Sequence, residues 1–200
     1  ILTKKLENWV DFANNDDGID PLIKMAILHY QFEAIHPFFD GNGRTGRVMN
    51  ALFISKRDLL DEPILYLSKY INEYKNDYYR LLREVTEKGN WNEWILFMLK
   101  AVKETAIYTL KKVNGIYDLY QSTKEKVKTE AKTIYSYELI EMLFSQPYCK
   151  IGFLVDAKIA SRNTASKYLN TLEELGILAK EQSGSEILYL NKGLYKLLSE

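Results

Sequence analysis

Twelve consecutive positions, His36-Pro37-Phe38-Phe39-Asp40-Gly41-Asn42-Gly43-Arg44-Thr45-Gly46-Arg47, bring together a base, a hard-metal ligand, an anion cradle and two arginines. Gly41 and Gly43 let the backbone turn so that successive N–H groups point the same way. A helix opening at Arg44 would add the positive end of its dipole to that concavity. Such a concavity binds phosphate. It is not a P-loop, because Arg44, Thr45 and Gly46 follow the glycine pair where that motif requires Gly-Lys-Ser/Thr. Arg44 and Arg47 stand three apart on the opening turn, so both lean toward one face. Their planar forks suit several phosphates better than one. Asp40 supplies an oxygen ligand just before the cradle, where a Mg²⁺ ion bridging two phosphates reaches it while keeping most of its waters. Asn42 offers its side-chain amide to a non-bridging oxygen. His36 ends the preceding helix within a loop's reach, where an imidazole can take the proton of an attacking hydroxyl. A histidine at a helix end is usually structural, and Asp-Gly or Asn-Gly is usually a turn. The combination is what points to a site. Phe38 reads as a core anchor that pins the loop, and Phe39 as partly exposed packing.

The elements that must hold this segment are helices. Leu2, Leu6, Trp9 and Val10 form a stripe that ends near the polar cluster 14–18. Asp20 followed by Pro21 is a capped helix start, and 22–35 continues without a breaker into His36. Residues 37–43 cannot extend that helix, whereas 44–56 regains the pattern through Val48, Leu52 and Phe53. Further helices are expected over 65–72, 76–87 and 92 to about 113, the last carrying Trp94, Ile95, Met98 and Val102 on its apolar side. Residues 116–133 are rich in Lys and Glu, as in a solvated helix joining two domains. Beyond it, helices over 137–144, 153–160 and 162–175 precede two short strands, 177–180 and 187–190, around the turn Gln182-Ser183-Gly184-Ser185. The expected fold class is mainly α: an all-helical catalytic domain over 1–115, a linker helix over 116–133 and a small winged helix-turn-helix (α+β) domain over 134–200.

Two hundred residues, 46% of them hydrophobic and 13% aromatic, are enough to bury a core. Lys plus Arg equals Asp plus Glu at 27 each, so no global field draws the chain to nucleic acid or an anionic membrane, and charge-based recognition has to be local. The single cysteine, Cys149, excludes an internal disulfide and a cysteine-rich metal site, and is read as a packed apolar thiol. No stretch approaches the roughly 20 apolar residues that span a bilayer, and no signal peptide is recognisable. A soluble, cytoplasmic protein is expected. The first residue is Ile1 rather than Met, from which an upstream segment is expected.

The twelve-residue segment resembles the signature of the Fic (filamentation induced by cAMP) family, His-Pro-Phe-x-Asp-Gly-Asn-Gly-Arg-x-x-Arg, at every fixed position. The likeness extends to Asp20-Pro21-Leu22, Phe32-Glu33-Ala34-Ile35 and Leu65-Tyr66-Leu67-Ser68, and covers essentially the whole chain, since Fic proteins fused to C-terminal winged helices look similar. The resemblance implies a Mg²⁺-dependent nucleotidyltransferase that moves AMP from ATP to a Ser, Thr or Tyr hydroxyl of a protein. It makes His36 the base and Asp40 the Mg²⁺ ligand. Gly41, Asn42 and Gly43 would hold the α- and β-phosphates, with Thr45 and Gly46 in the same nucleotide-binding run. Arg44 would neutralise charge toward the pyrophosphate and Arg47 would clamp the γ-phosphate. Tyr78 of the Tyr78-Tyr79 pair resembles the adenine-side aromatic, while its place on an apolar stripe also fits a core residue. Arginine rather than lysine at 44 favours AMP transfer over phosphorylation, and removal of AMP is a further activity in the family. The family's inhibitory helix has the pattern Ser/Thr-x-x-x-Glu-Gly/Asn. Thr3 to Asn8 fits that string but lies close to His36, so the inhibitory helix is expected upstream of Ile1, together with the flap that registers the target.

A protein bearing a hydroxyl is the implied partner, and the 15 tyrosines leave self-modification open. On the third C-terminal helix Arg162, Asn163, Lys167 and Tyr168 could meet DNA. Residues 131–200, however, carry eight basic and eight acidic side chains, so protein contact or a homodimer suits the module at least as well. The competing reading is a DNA-binding regulator whose first domain senses nucleotide without turnover. His29 reads as a hydrogen-bonded core residue, and Trp9, Trp91 and Trp94 as core anchors.

Overall fold

Asp20 accepts hydrogen bonds from the N–H groups of Leu22 (2.9 Å) and Ile23 (3.3 Å), and Pro21 fills the first helical position, so α2 (Pro21–Ile35) starts where sequence chemistry starts it. It ends at His36, which takes the left-handed conformation with φ 50° and returns its N–H to the Phe32 carbonyl. The computed structural model describes residues 1–184 and 186–199. They fall into two compact units, Ile1–Leu110 and Lys111–Glu200.

In the first unit, α1 (Leu2–Asn14), α2, α3 (Asn42–Lys56), α4 (Leu67–Glu73), α5 (Lys75–Lys88) and the opening part of α6 (Trp91–Glu130) enclose one apolar core. Met25, Ala26, Trp94, Met98 and Ala101 have no exposed surface. Two indole N–H groups tie the core to α2: Trp9 donates to the Leu28 carbonyl and Trp94 to that of Ala26, each at 2.8 Å. Lys24, buried beside Phe12, is matched by Asp17 at 3.0 Å and the Asn15 carbonyl, which fixes the crossing from α1 to α2. All three tryptophans belong to or pack on this core, as their spacing implied.

Helix α6 differs from expectation. No break follows Val113, and its later part is not merely solvated, since Thr123 and Val127 are buried. Gly115 sits inside the helix because a Cβ there would come within 3.1 Å of the Leu197 side chain.

In the second unit, α7 (Tyr137–Ser145), β1 (Tyr148–Cys149), α8 (Ile151–Asp156), α9 (Arg162–Glu174), β2 (Leu178–Ser183), β3 (Glu186–Asn191) and α10 (Lys192–Ser199) close around Leu139, Ile140, Leu154, Leu169 and Tyr189. The sheet is antiparallel in the order β1-β3-β2, with Lys180 opposite Tyr189. Three helices and the expected hairpin are present; β1 and α10 were not anticipated. Gly184 adopts φ 61° in the hairpin turn, and the fourth turn residue, Ser185, lies outside the described residues. Cys149 is a buried free thiol whose pKa burial pushes up to about 11. No helix among the described residues is long and apolar enough to cross a membrane.

Candidate active site

The segment after α2 is turned by two left-handed residues, His36 and Gly41 (φ 84°), and α3 begins at Asn42, two residues earlier than periodicity suggested. Gly41 is therefore the N-cap, and Asn42 and Gly43 already belong to the first turn, whose unpaired N–H groups face outward from the helix end. Asn42 explains the early start. It is only 3% exposed, its Oδ1 accepts from the Phe38 N–H at 2.9 Å, and its Nδ2 donates to the Phe38 carbonyl at 2.6 Å. The Asn42 side chain thus clasps the loop through both of its polar atoms. Phe38 correspondingly does not anchor the loop by burial, because it remains 49% exposed and only approaches Phe32, at 6.3 Å between ring centroids. Phe39 is fully exposed.

A cleft of about 360 Å³ opens over this turn, lined on the motif side by His36, Asp40, Gly41, Gly43, Arg44 and Arg47. Across it stand Ile71 and Asn72 of α4 and Lys75, Tyr78 and Tyr79 of α5. His36 is exposed to the cleft. Asp40 accepts from the Gly41 N–H at 2.6 Å and pairs with Arg44 Nη2 at 3.1 Å, an exposed contact in open solvent. Arg47 is held differently. Its Nε donates to Ser68 Oγ at 2.8 Å, and its Nη1 lies 3.1 Å from where a Gly43 Cβ would stand. A side chain at 43 would push the guanidinium aside by a few tenths of an ångström.

Thr45 and Gly46 are not among the cleft-lining residues. Gly46 is buried against α2, where a Cβ would meet Glu33 Oε1 at 2.9 Å and the His29 ring at 3.1 Å. Its role is close helix packing. Tyr78 is 3% exposed, its hydroxyl shares a 2.9 Å hydrogen bond with His29 Nε2, and its ring packs on Trp94. Burial drives its pKa upward. Tyr78 is thus a buried residue that also borders the cleft, beside the exposed aromatics Phe39 and Tyr79, the latter at 55%. His29 is a core residue as expected; desolvation, helped by the nearby Arg47 charge, lowers its pKa to about 4.

Sequence reasoning missed Glu33, Ser68, Asn72, Lys75 and Tyr79 as neighbours of the motif. Two signals were available. Glu33 precedes His36 by one helical turn, and Lys75 and Tyr79 are spaced i, i+4 on one helix face.

Glu7, the acidic residue of the Thr3–Asn8 string, is exposed on α1 and does not line the cleft. Asp40 is the exposed carboxylate of the cleft, Glu33 being half-buried beneath it, and no group of three or more His, Cys, Asp or Glu side chains that could hold a metal gathers among the described residues. That donor set fits Mg²⁺, which binds through one or two carboxylates plus substrate phosphates and waters rather than in an all-protein cage.

Residues 2–54 match the model of the Fic/DOC family, and residues 119–194 match that of the C-terminal domain of SoFic-like protein adenylyltransferase. The chain is 26% identical over 145 residues to a probable protein adenylyltransferase of Aquifex aeolicus, covering 64% of this chain and 43% of that one. It is 28% identical over 133 residues to the protein adenylyltransferase Fic of Drosophila yakuba, covering 66% of this chain and 24% of that one. The chain thus spans less than half the length of these relatives. A crystal structure of a Fic family protein from Desulfovibrio desulfuricans superposes on 96% of this chain and 55% of its own, with a TM-score of 0.49 and 23% identity. The motif side of the cleft thus lies in the segment that is similar to the Fic/DOC family, and residues 119–194 are similar to the SoFic-like C-terminal domain.

Proposed function

We propose that the chain is a protein adenylyltransferase that moves AMP from ATP to a hydroxyl side chain of a protein. The observation that carries this reading is the cleft itself, where one histidine, the carboxylates of Asp40 and Glu33, two arginines and the N-terminal turn of α3 face a single space. In that space His36 takes the proton of the target hydroxyl, whose oxygen attacks the α-phosphorus of ATP. The bond from that phosphorus to the bridging oxygen breaks and pyrophosphate leaves. The turn at Gly41 to Gly43 receives the α- and β-phosphates, Arg44 meets charge developing on the leaving pyrophosphate, and Arg47 holds the γ-phosphate. Mg²⁺, held by Asp40, would neutralise phosphate charge when bound. The carboxylate would exchange its exposed pairing with Arg44 for the ion at little cost. Tyr79 and Lys75 line the side left for the base and ribose.

The rest of the reading is organisational. Residues 1–115 act as the catalytic domain, 116–133 as the connecting helix and 134–200 as a winged helix, in a cytoplasmic protein with one unpaired thiol. The module's balanced charge favours a protein partner or a second copy over DNA.

Intact-mass spectrometry after incubation with ATP and Mg²⁺, with and without cell lysate as a source of targets, tests the activity. The wild-type chain should add an AMP-sized mass to itself or to a lysate protein, and a His36→Ala variant should not while still binding ATP. His36 has a positive φ, so His36→Asn, which tolerates that conformation, separates lost chemistry from loop strain. Transfer at the wild-type rate by both variants would remove His36 from the mechanism.

A further inference from the structure

Beneath the first turn of α3 lies a carboxylate that the proposed chemistry does not use. Glu33 lines the cleft from α2, and its Oε1 is shielded from solvent without a hydrogen-bond partner. Such a group is costly unless it compensates a neighbouring charge. The neighbour is Arg47. Oε1 lies 3.7 Å and Arg47 Nη1 3.1 Å from the same point, the position a Gly43 Cβ would occupy. Burial raises the carboxyl's pKa, while the charges of Arg47 and His36 oppose that rise.

Arg47 has two places to go. It borders the cleft and also an apolar groove of about 450 Å³ lined by Val48, Leu52, Pro63, Leu65 and Tyr66. Ser68, which takes the Nε hydrogen bond, belongs to the groove, whereas Glu33 belongs only to the cleft. We propose that Glu33 is a positioning residue whose buried carboxylate keeps the Arg47 guanidinium on the cleft side, where it meets the terminal phosphate of bound nucleotide. This rests on the nucleotide reading of the cleft given above. The same carboxylate also repels an arriving polyphosphate. Positioning and repulsion therefore predict opposite signs for its removal.

The experiment measures equilibrium affinity for ATP and for ADP, with Mg²⁺, on the full chain and on Glu33→Gln, Arg47→Ala and the double variant. Binding is read without turnover, so loss of transfer chemistry does not enter. Arg47→Ala should abolish the preference for ATP over ADP. Glu33→Gln should reduce that preference by roughly 2- to 150-fold, the span of coupling between neighbouring groups, with ADP affinity nearly unchanged, and the double variant should be no worse than Arg47→Ala alone. Glu33→Asp, which keeps the charge but withdraws it by one methylene, should retain more of the preference than Glu33→Gln. It also supplies the comparison if the glutamine variant folds poorly. An unchanged or stronger ATP preference in Glu33→Gln, or losses that simply add in the double variant, would overturn the proposal while leaving the phosphate site standing. An unchanged preference in Arg47→Ala would overturn the assignment of Arg47 to the γ-phosphate, and the role of Glu33 with it.

Discussion

Three of the four buried side-chain polar atoms that lack a hydrogen-bond partner among the described residues belong to His29, Glu33 and Asn50, on the helices that cradle the motif. A protein that buries polar groups there forgoes stability for a charged, shaped floor under its ligand site. His29 gives this a measurable pH dependence. Folded, it takes up a proton only near pH 4, whereas in the unfolded chain it does so near its ordinary value of 6.5. Its contribution is complete above about pH 6.5 and is lost as the pH falls toward 4, on the order of 3 kcal/mol if fully developed. Glu33 acts in the opposite sense. Its raised pKa favours the folded state in acid and loses that contribution as pH rises, so the two partly offset each other. Urea denaturation at pH 7 and pH 4.5 should show a lower midpoint in acid, and His29→Gln, which can still bond the Tyr78 hydroxyl, should flatten the difference. An equal acid loss in that variant would assign the effect to other groups. At this scale the signature string was legible as chemistry because its residue types are unusual together. Which atoms face the ligand was not legible. Asn42 and Tyr78 have side chains suited to binding, and both are held by contacts with Phe38 and His29, while Gly46 packs against Glu33 and His29, contacts that sequence spacing does not encode.

Helices were placed well where a cap or a glycine marked them, as at Asp20 before α2, and poorly where tertiary contact decided. Helix α3 starts at Asn42 because that side chain satisfies both the N–H and the carbonyl of Phe38. Helix α6 runs on past Asn114 and Gly115, and Leu197 packs 3.1 Å from where a Cβ at 115 would stand, a non-local contact that local propensity does not anticipate. The clasp at Asn42 can be tested as an element boundary. Asn42→Ala removes both bonds to Phe38 and should destabilise the loop and first turn by about 1–3 kcal/mol. Hydrogen exchange at the Phe38 amide should accelerate while amides in the core of α6, around Met98, stay protected. Unchanged protection at Phe38 would mean that the loop is held by something other than Asn42.

Each unit closes its own apolar core, and the chain as a whole carries formal charge zero with a sequence pI of about 7.0. That balance bears on what the second unit can bind. The basic residues on and beside α9 are either isolated or matched: Lys180 pairs with Glu173 at 3.6 Å and also donates to Asn170 Oδ1 at 3.0 Å, and Lys150 pairs with Glu186. Arg162 and Lys167 stay exposed on α9, but two charges release few counterions, whereas sequence-independent DNA binding usually rests on 6–10 phosphate contacts or so. Helices in this arrangement can enter a major groove, so geometry alone would permit DNA and charge decides against it. Fluorescence anisotropy with a labelled random duplex at about 50 mM salt, where the electrostatic contribution is strongest, should show no saturable rise at micromolar protein. If binding does appear and weakens steeply with added salt, the second unit presents a basic face that its composition conceals, and the competing reading of a nucleotide-sensing DNA regulator regains its ground. If binding is absent, the exposed face of α9 remains free to meet a protein, and cross-linking the intact chain at rising concentration would show whether that protein is a second copy of itself.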